Sequence, residues 1–189
     1  MGMRRRNLFI SLLALLPVVT FGKYTGGMVA RSRIGFKVSS GEARNGEHYQ
    51  MKGVTLNVLD NKISSLDTNG DIAVFEQNGY TPKGGPPLHI HLHQDEFFYI
   101  IEGQYLFQVG EDQYRMNPGD TIFLPRKVKH AFAQLTDQGK VIVSYIPAGK
   151  MEDFFRETDS WTSPPTAEEI ERVFEDHEMK VVGPPLEVV

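Results

Sequence analysis

A chain of 189 residues, 40% hydrophobic and 11% aromatic, suits one domain with a sizeable core and some terminal decoration. Its formal net charge of −4 at pH 7, with no basic stripe beyond the first residues, gives no footing for a nucleic-acid partner. The absence of cysteine excludes disulfides, zinc–thiolate sites and cysteine nucleophiles.

Residues 1–22 set Arg4, Arg5 and Arg6 ahead of an almost wholly apolar run from Leu8 to Phe21. A basic region before a short apolar one is the layout of a secretory signal, and the run is too short for a comfortable membrane span. Thr20-Phe21-Gly22 is a mediocre cleavage site, so an uncleaved N-terminal anchor is the alternative, and a buried N-terminal helix is a third reading. The arginines before Asn7-Leu8-Phe9 have a loose likeness to a twin-arginine export signal. The expectation is an exported protein, periplasmic or secreted, that touches a membrane only if this segment is retained.

Residues 23–51, rich in Gly, Ser and basic side chains, read as an extended arm. Strand-like runs follow from residue 52: VTLNVL, KISSL and DIAVFEQ, divided by Asp60-Asn61 and Asn69-Gly70. Asn-Gly between alternating runs is a hairpin cue. Asp67–Asp71 resembles a calcium loop, but its glycine comes early and no glutamate closes it; a tight turn fits better. FFYIIEG, QYLFQVG, QYRM, DTIFL, HAFAQL and KVIVSYI then alternate with Gly-, Asn- and Asp-rich breaks. Short strands at regular spacing predict an all-β sandwich or barrel over 52–149.

Residues 150–189 change character. MEDFFRE has room for a turn or two of helix, and TAEEIERVFEDH reads as a helix opened by Thr166 and Glu169 as a capping box. Ile170, Val173, Phe174 and His177 share one face, so His177 reads as packed rather than ligating. Helix and tail are expected to lie across the barrel wall.

Four of the six histidines fall between residues 89 and 130. Imidazole is the commonest first-row metal ligand, and a nearby carboxylate suits iron, manganese, nickel or cobalt. His89 and His91 lie two apart and so share a strand face, whereas Glu96 has the wrong parity unless a turn at Leu92–Asp95 intervenes. With that turn, Glu96, Phe98 and Ile100 face inward and Phe97, Tyr99 and Ile101 outward. Downstream, His130 opens another strand, with Phe132 and Gln134 following it inward. Gln94 and Asp95 read as solvated turn residues, and His48 as a surface histidine.

His89-x-His91-x4-Glu96-x6-Gly103 resembles the first cupin motif, and Gly119-x5-Pro125-x4-His130-x3-Gln134 the second. The resemblance covers roughly residues 70–147, and the ending looks like that of bacterial monocupins related to quercetin dioxygenase. It implies a single-domain jelly-roll barrel (a double-stranded β-helix) with an N-terminal arm and a short C-terminal helix. It also implies one divalent metal held by His89, His91, Glu96 and His130: iron, manganese, nickel or cobalt, with zinc as the alternative. His91 and His93 as the pair would leave a shorter spacing to Glu96 than the motif has, which puts His93 at the rim. Phe98, Ile100, Phe132 and Gln134 would wall the pocket, and Glu96 would be a ligand or a general base. The implied partners are a small-molecule substrate, dioxygen, and a second copy in a homodimer. A dioxygenase rests on family analogy; an oxygen-independent isomerase or hydrolase, or a non-catalytic binding module, is the alternative. The sequence departs from the motifs at Lys83, where the first has its leading glycine, at Lys127, where the second has glycine, and at Gln134, where asparagine is common. Lys127 asks that its loop avoid a glycine-only backbone conformation.

Overall fold

The computed structural model describes residues 31–52 and 55–188. The signal or anchor expected at 1–22 lies outside the described residues. No helix among those described is long and apolar enough to cross a membrane.

Residues 31–47 are irregular apart from a 3-10 turn at Arg44–Gly46. This segment is tied down where the Arg44 guanidinium forks onto Asp67, at 2.9 and 2.7 Å. Strand β1 (His48–Gln50) then pairs antiparallel with β2 (Val58–Ile63). The arm therefore ends as a sheet edge, with Tyr49 in the core. Strand β2 runs straight through Asp60-Asn61, which the sequence reading took as a break. Asp60 can stay in the strand because His48 Nδ1 at 2.7 Å and Asn78 Nδ2 at 3.1 Å satisfy its carboxylate. KISSL is not a strand of its own. Ser64 caps a short helix, α1 (Ser65–Thr68), and Asp67 completes a capping box. Asn69, left-handed at φ 56°, ends that helix, so Asn69-Gly70 turns from helix to strand rather than closing a two-residue hairpin.

The remaining strands follow the expected runs: β3 (Ala73–Gly79), β4 (Pro87–His91), β5 (Asp95–Glu102), β6 (Tyr105–Val109), β7 (Asp112–Met116), β8 (Thr121–Leu124), β9 (His130–Gln134) and β10 (Gly139–Ile146). Two helices, α2 (Met151–Asp159) and α3 (Ala167–Asp176), precede a last strand, β11 (Met179–Pro185). The strands form two antiparallel sheets, ordered β1-β2-β3-β10-β5-β8 and β11-β4-β9-β6-β7. Phe75, Phe98, Ile100, Tyr105, Phe107 and Val141 are fully buried between them. The period-two expectation for β5 holds: Glu96, Phe98 and Ile100 are buried, whereas Tyr99 and Ile101 are about 40% exposed (41% and 40%).

Two features of the C-terminal segment depart from the sequence reading. The tail does more than lie across the barrel wall: β11 joins the sheet beside β4, pairing Met179 with His91 and Val181 with His89. Its Gly183, Pro184 and Pro185 argue against a central strand but are tolerated at an edge. The helices do more than cover a wall, since Met151, Phe154 and Phe155 of α2 and Phe174 of α3 close one end of the barrel interior. The Thr166–Glu169 capping box forms as expected, and His177 is buried, donating from Nδ1 to the Val173 carbonyl at 2.8 Å.

Lys127 overturns the expectation for its loop. Its φ is 66°, in the left-handed region, and so is that of Lys83, at 62°. Both lysines keep the backbone conformation of the glycines they replace. Each amide is engaged, Lys127 N–H donating to His91 O at 2.8 Å and Lys83 N–H to Gln134 O at 2.7 Å. An unbranched side chain tolerates this conformation far better than a β-branched one. Lys127→Val is accordingly expected to lose about 1–2 kcal/mol in urea unfolding, and Lys127→Gly to stay near wild type. Equal stability of the two variants would mean that the loop does not hold this conformation.

Candidate metal centre

Strand pairing sets the geometry of the site. His89 on β4 stands opposite His130 on β9 in one sheet. Glu96 on β5 comes from the other sheet, opposite Tyr145 of β10 and Leu124 of β8. The chain reverses between β4 and β5 at residues 92–94, the turn that brings Glu96 to the same interior as the histidines. One ligand atom from each of His89, His91, Glu96 and His130 lies within 4.8 Å of the other three, and all four residues are buried.

The chemistry of these atoms points to a cation. His89 Nδ1 lies 2.8 Å from the Pro87 carbonyl, and His130 Nδ1 lies 2.9 Å from the Val128 carbonyl. A carbonyl oxygen only accepts, so both Nδ1 atoms carry hydrogen and both Nε2 atoms present lone pairs to the interior. There, His89 Nε2 meets His91 Nε2 at 3.2 Å. His130 Nε2 meets a Glu96 oxygen at 3.1 Å, and His91 Nε2 meets the other at 3.4 Å. Acceptors facing acceptors in a buried site are unfavourable without a positive charge among them. Three imidazoles and one carboxylate suit a divalent first-row transition ion, so the residues present fit the metal expected.

Electrostatics agree with that fit. Burial, then the neighbouring His130 and His91, lower the His89 pKa well below its ordinary value, which keeps the ring neutral and able to ligate. Burial likewise lowers that of His91. For Glu96, burial alone would raise the pKa, but His91 and His130, when protonated, outweigh it and bring the carboxyl down to about 2. With the rings neutral, a cation among the four groups would supply the charge that keeps Glu96 a carboxylate. Burial, and then the charge of Glu96, push the Tyr145 hydroxyl well above its usual pKa. A hydroxyl that keeps its proton beside a carboxylate is a donor available to orient it. Sequence reasoning missed Tyr145, because only the register of β10 against β5 brings it to Glu96.

The expected pocket residues separate. Phe98 and Phe132 line a cavity onto which His89, His91 and Glu96 open. Ile100 and Gln134 are fully buried but are not on its wall. Gln134 instead turns its amide nitrogen to the carbonyls of Thr136 and Gly79, at 2.7 and 3.3 Å. The rest of the apolar wall comes from α2, α3 and β11, and Asn57 and Gln77 add polar groups. His93 is exposed, as expected for the rim. Gln94 and Asp95 are not solvated turn residues: Gln94 is only 1% exposed, and Asp95 receives a forked pair from Arg126 at 3.0 and 2.6 Å.

Residues 79–146 match the family model described as a cupin domain. Among curated proteins, quercetin 2,3-dioxygenase of Bacillus subtilis (strain 168) is 31% identical over 91 residues, which are 48% of this chain and 26% of that protein. An uncharacterized protein of Methanocaldococcus jannaschii is 37% identical over 43 residues, 23% of this chain and 34% of that one. The chain thus spans between a quarter and about a third of the length of these curated relatives. Of the solved structures, Pac13, a nucleoside dehydratase, aligns with a TM-score of 0.51 at 12% identity, covering 81% of this chain and 95% of that one. The polyketide cyclase RemF from Streptomyces resistomycificus aligns with a TM-score of 0.50 at 19% identity, covering 60% and 80%. At such identities the shared property is the fold.

Proposed function

We propose that this chain, which carries a cupin domain, is a metal-dependent oxidoreductase of the dioxygenase type, acting on a small aromatic or otherwise poorly polar molecule that bears a hydroxyl group. The observation behind this reading is the convergence of His89, His91, Glu96 and His130, the first three of them at the wall of a cavity otherwise faced largely by apolar side chains. The likeness to quercetin 2,3-dioxygenase adds support over 48% of the chain.

A bound iron, manganese, nickel or cobalt ion would supply Lewis acidity, a template for the substrate and a route for electrons. The protein's own groups have distinct tasks. A Glu96 oxygen, ionised and buried, takes the proton of the substrate hydroxyl when it is not ligating. Tyr145 steadies that carboxylate with its hydroxyl. Phe98, Phe132, Phe154 and Phe174 exclude water and offer faces and edges to a flat ring. The basic-then-apolar residues 1–22 support a place outside the cytoplasm, which cell fractionation of the full-length protein tests.

The deciding experiment is oxygen uptake by metal-loaded protein given a panel of flavonols and catechols. Uptake with at least one of them, lost at least 100-fold in His91→Ala, is the expected result. Turnover that continues without oxygen would replace this reading with an isomerase or hydrolase. Saturable binding with no product would replace it with a binding module.

A further inference from the structure

Two of the three histidines have Nδ1 held by backbone carbonyls, Pro87 for His89 and Val128 for His130. His91 has no such carbonyl. Its Nδ1 is buried without a formed hydrogen bond, and so is the side-chain oxygen of Gln94. Gln94 acts on the His91 ring, opposing the lowering of its pKa by burial, and the two orphaned atoms are the donor and the acceptor still needed for a bond between them. We propose that Gln94 and Glu178 form a relay that sets the tautomer of His91, so that its Nε2 is free to bind a divalent metal ion. The proposal rests on the metal reading of the site, and Gln94 and Glu178 are positioning residues within it.

The relay is a chain of forced choices. The Glu178 carboxylate only accepts, so it draws the Gln94 amide nitrogen, which donates to it at 2.8 Å. That leaves the Gln94 oxygen for His91. An amide oxygen also only accepts, so His91 Nδ1 must carry the hydrogen and Nε2 the lone pair. Packing holds the parts in place. A Cβ on Gly149 would sit 1.8 Å from the Gln94 nitrogen, so the amide lies against bare backbone. The Glu178 carbonyl accepts from Leu92 N–H at 2.9 Å, joining the turn after β4 to the turn before β11. An outer partner that orients a metal-bound imidazole commonly changes metal affinity ~10–100-fold.

Substitutions at the half-exposed Glu178 test the relay without emptying the core. Glu178→Gln keeps an acceptor. Glu178→Lys offers only donors, so it turns the Gln94 amide round and presents N–H to His91. Two-bond 1H–15N NMR of the metal-free full chain reads the tautomer, and competition between the protein and a chelator for Ni2+ reads affinity. Wild type and Glu178→Gln are expected to show His91 protonated at Nδ1 and to agree in Ni2+ affinity to within about threefold. Glu178→Lys, and Gln94→Leu if it folds by thermal melting, are expected to populate the Nε2–H form and bind Ni2+ roughly 10–100-fold more weakly. An unchanged His91 tautomer in folded Glu178→Lys overturns the relay, even if affinity falls. Wild type protonated at Nδ1, switched by Glu178→Lys, but unable to take up Ni2+ would sustain the relay and refute the metal reading instead.

Discussion

Phe155→Ala is expected to lower the thermal midpoint by roughly 6–20 °C. The ring is 4% exposed and lies within packing distance of four other aromatic rings. Centroid distances are 5.0 Å to Phe75, 5.3 Å to Phe154, 6.1 Å to Tyr145 and 6.4 Å to Tyr49. Those partners come from β1, β3, β10 and α2, so one side chain joins the arm, the barrel and the C-terminal extension. Removing a buried phenylalanine costs about 3–5 kcal/mol through lost transfer energy and residual cavity, and each kcal/mol moves the midpoint by about 2–4 °C in a chain of this size. Phe123→Ala is the control. That ring is 56% exposed, and its loss should stay within about 0.5 kcal/mol. A Phe155→Ala midpoint within 2 °C of wild type would mean that the extension is only loosely docked.

Removing metal is the second large effect expected. A ligand that binds only the folded state at ~100 times its dissociation constant adds about 2.7 kcal/mol, or roughly 5–11 °C in midpoint. Chelation of metal-loaded wild type should therefore lower the melting temperature by that amount, and re-addition should restore it. In His91→Ala the shift should nearly vanish, and metal content by elemental analysis should fall from near one ion per chain to below about a tenth. A wild-type midpoint indifferent to chelator, in protein shown to carry metal, would contradict the picture of four acceptors held together at cost.

The candidate ligands and the faces of β5 were legible because their signals are local. His89 and His91 declare one face by parity, and the spacing to Glu96 demands a turn, which residues 92–94 supply. What escaped was set by contacts between distant residues. Gln94 next to Asp95 looks like any polar turn, and nothing near it reveals that Glu178, 84 positions later, receives its amide. Ser65–Thr68 hid inside an alternating run, since four helical residues give too little periodicity to outweigh it. Strand β11 was obscured by its prolines, whose objection to a sheet lapses once the strand has a free edge. Ile100 and Gln134 have the right parity for the interior, but parity says nothing about depth along the barrel. The lysines at 83 and 127 show the reverse error: a missing glycine was read as a changed backbone, and the backbone did not change.

The pairing of β11 with β4 also bears on when the centre can exist. His89 and His91 lie on a strand bordered by residues made almost a hundred positions later, since Pro87 pairs with Pro185. At a synthesis rate of ~5–20 residues per second, roughly 5–20 s pass between the two strands. Over that interval the emerging chain gains His130 and then the helices that close the barrel, and only at its end the strand that borders His89 and His91. The four groups of the centre therefore reach their final setting only once the last strand has docked.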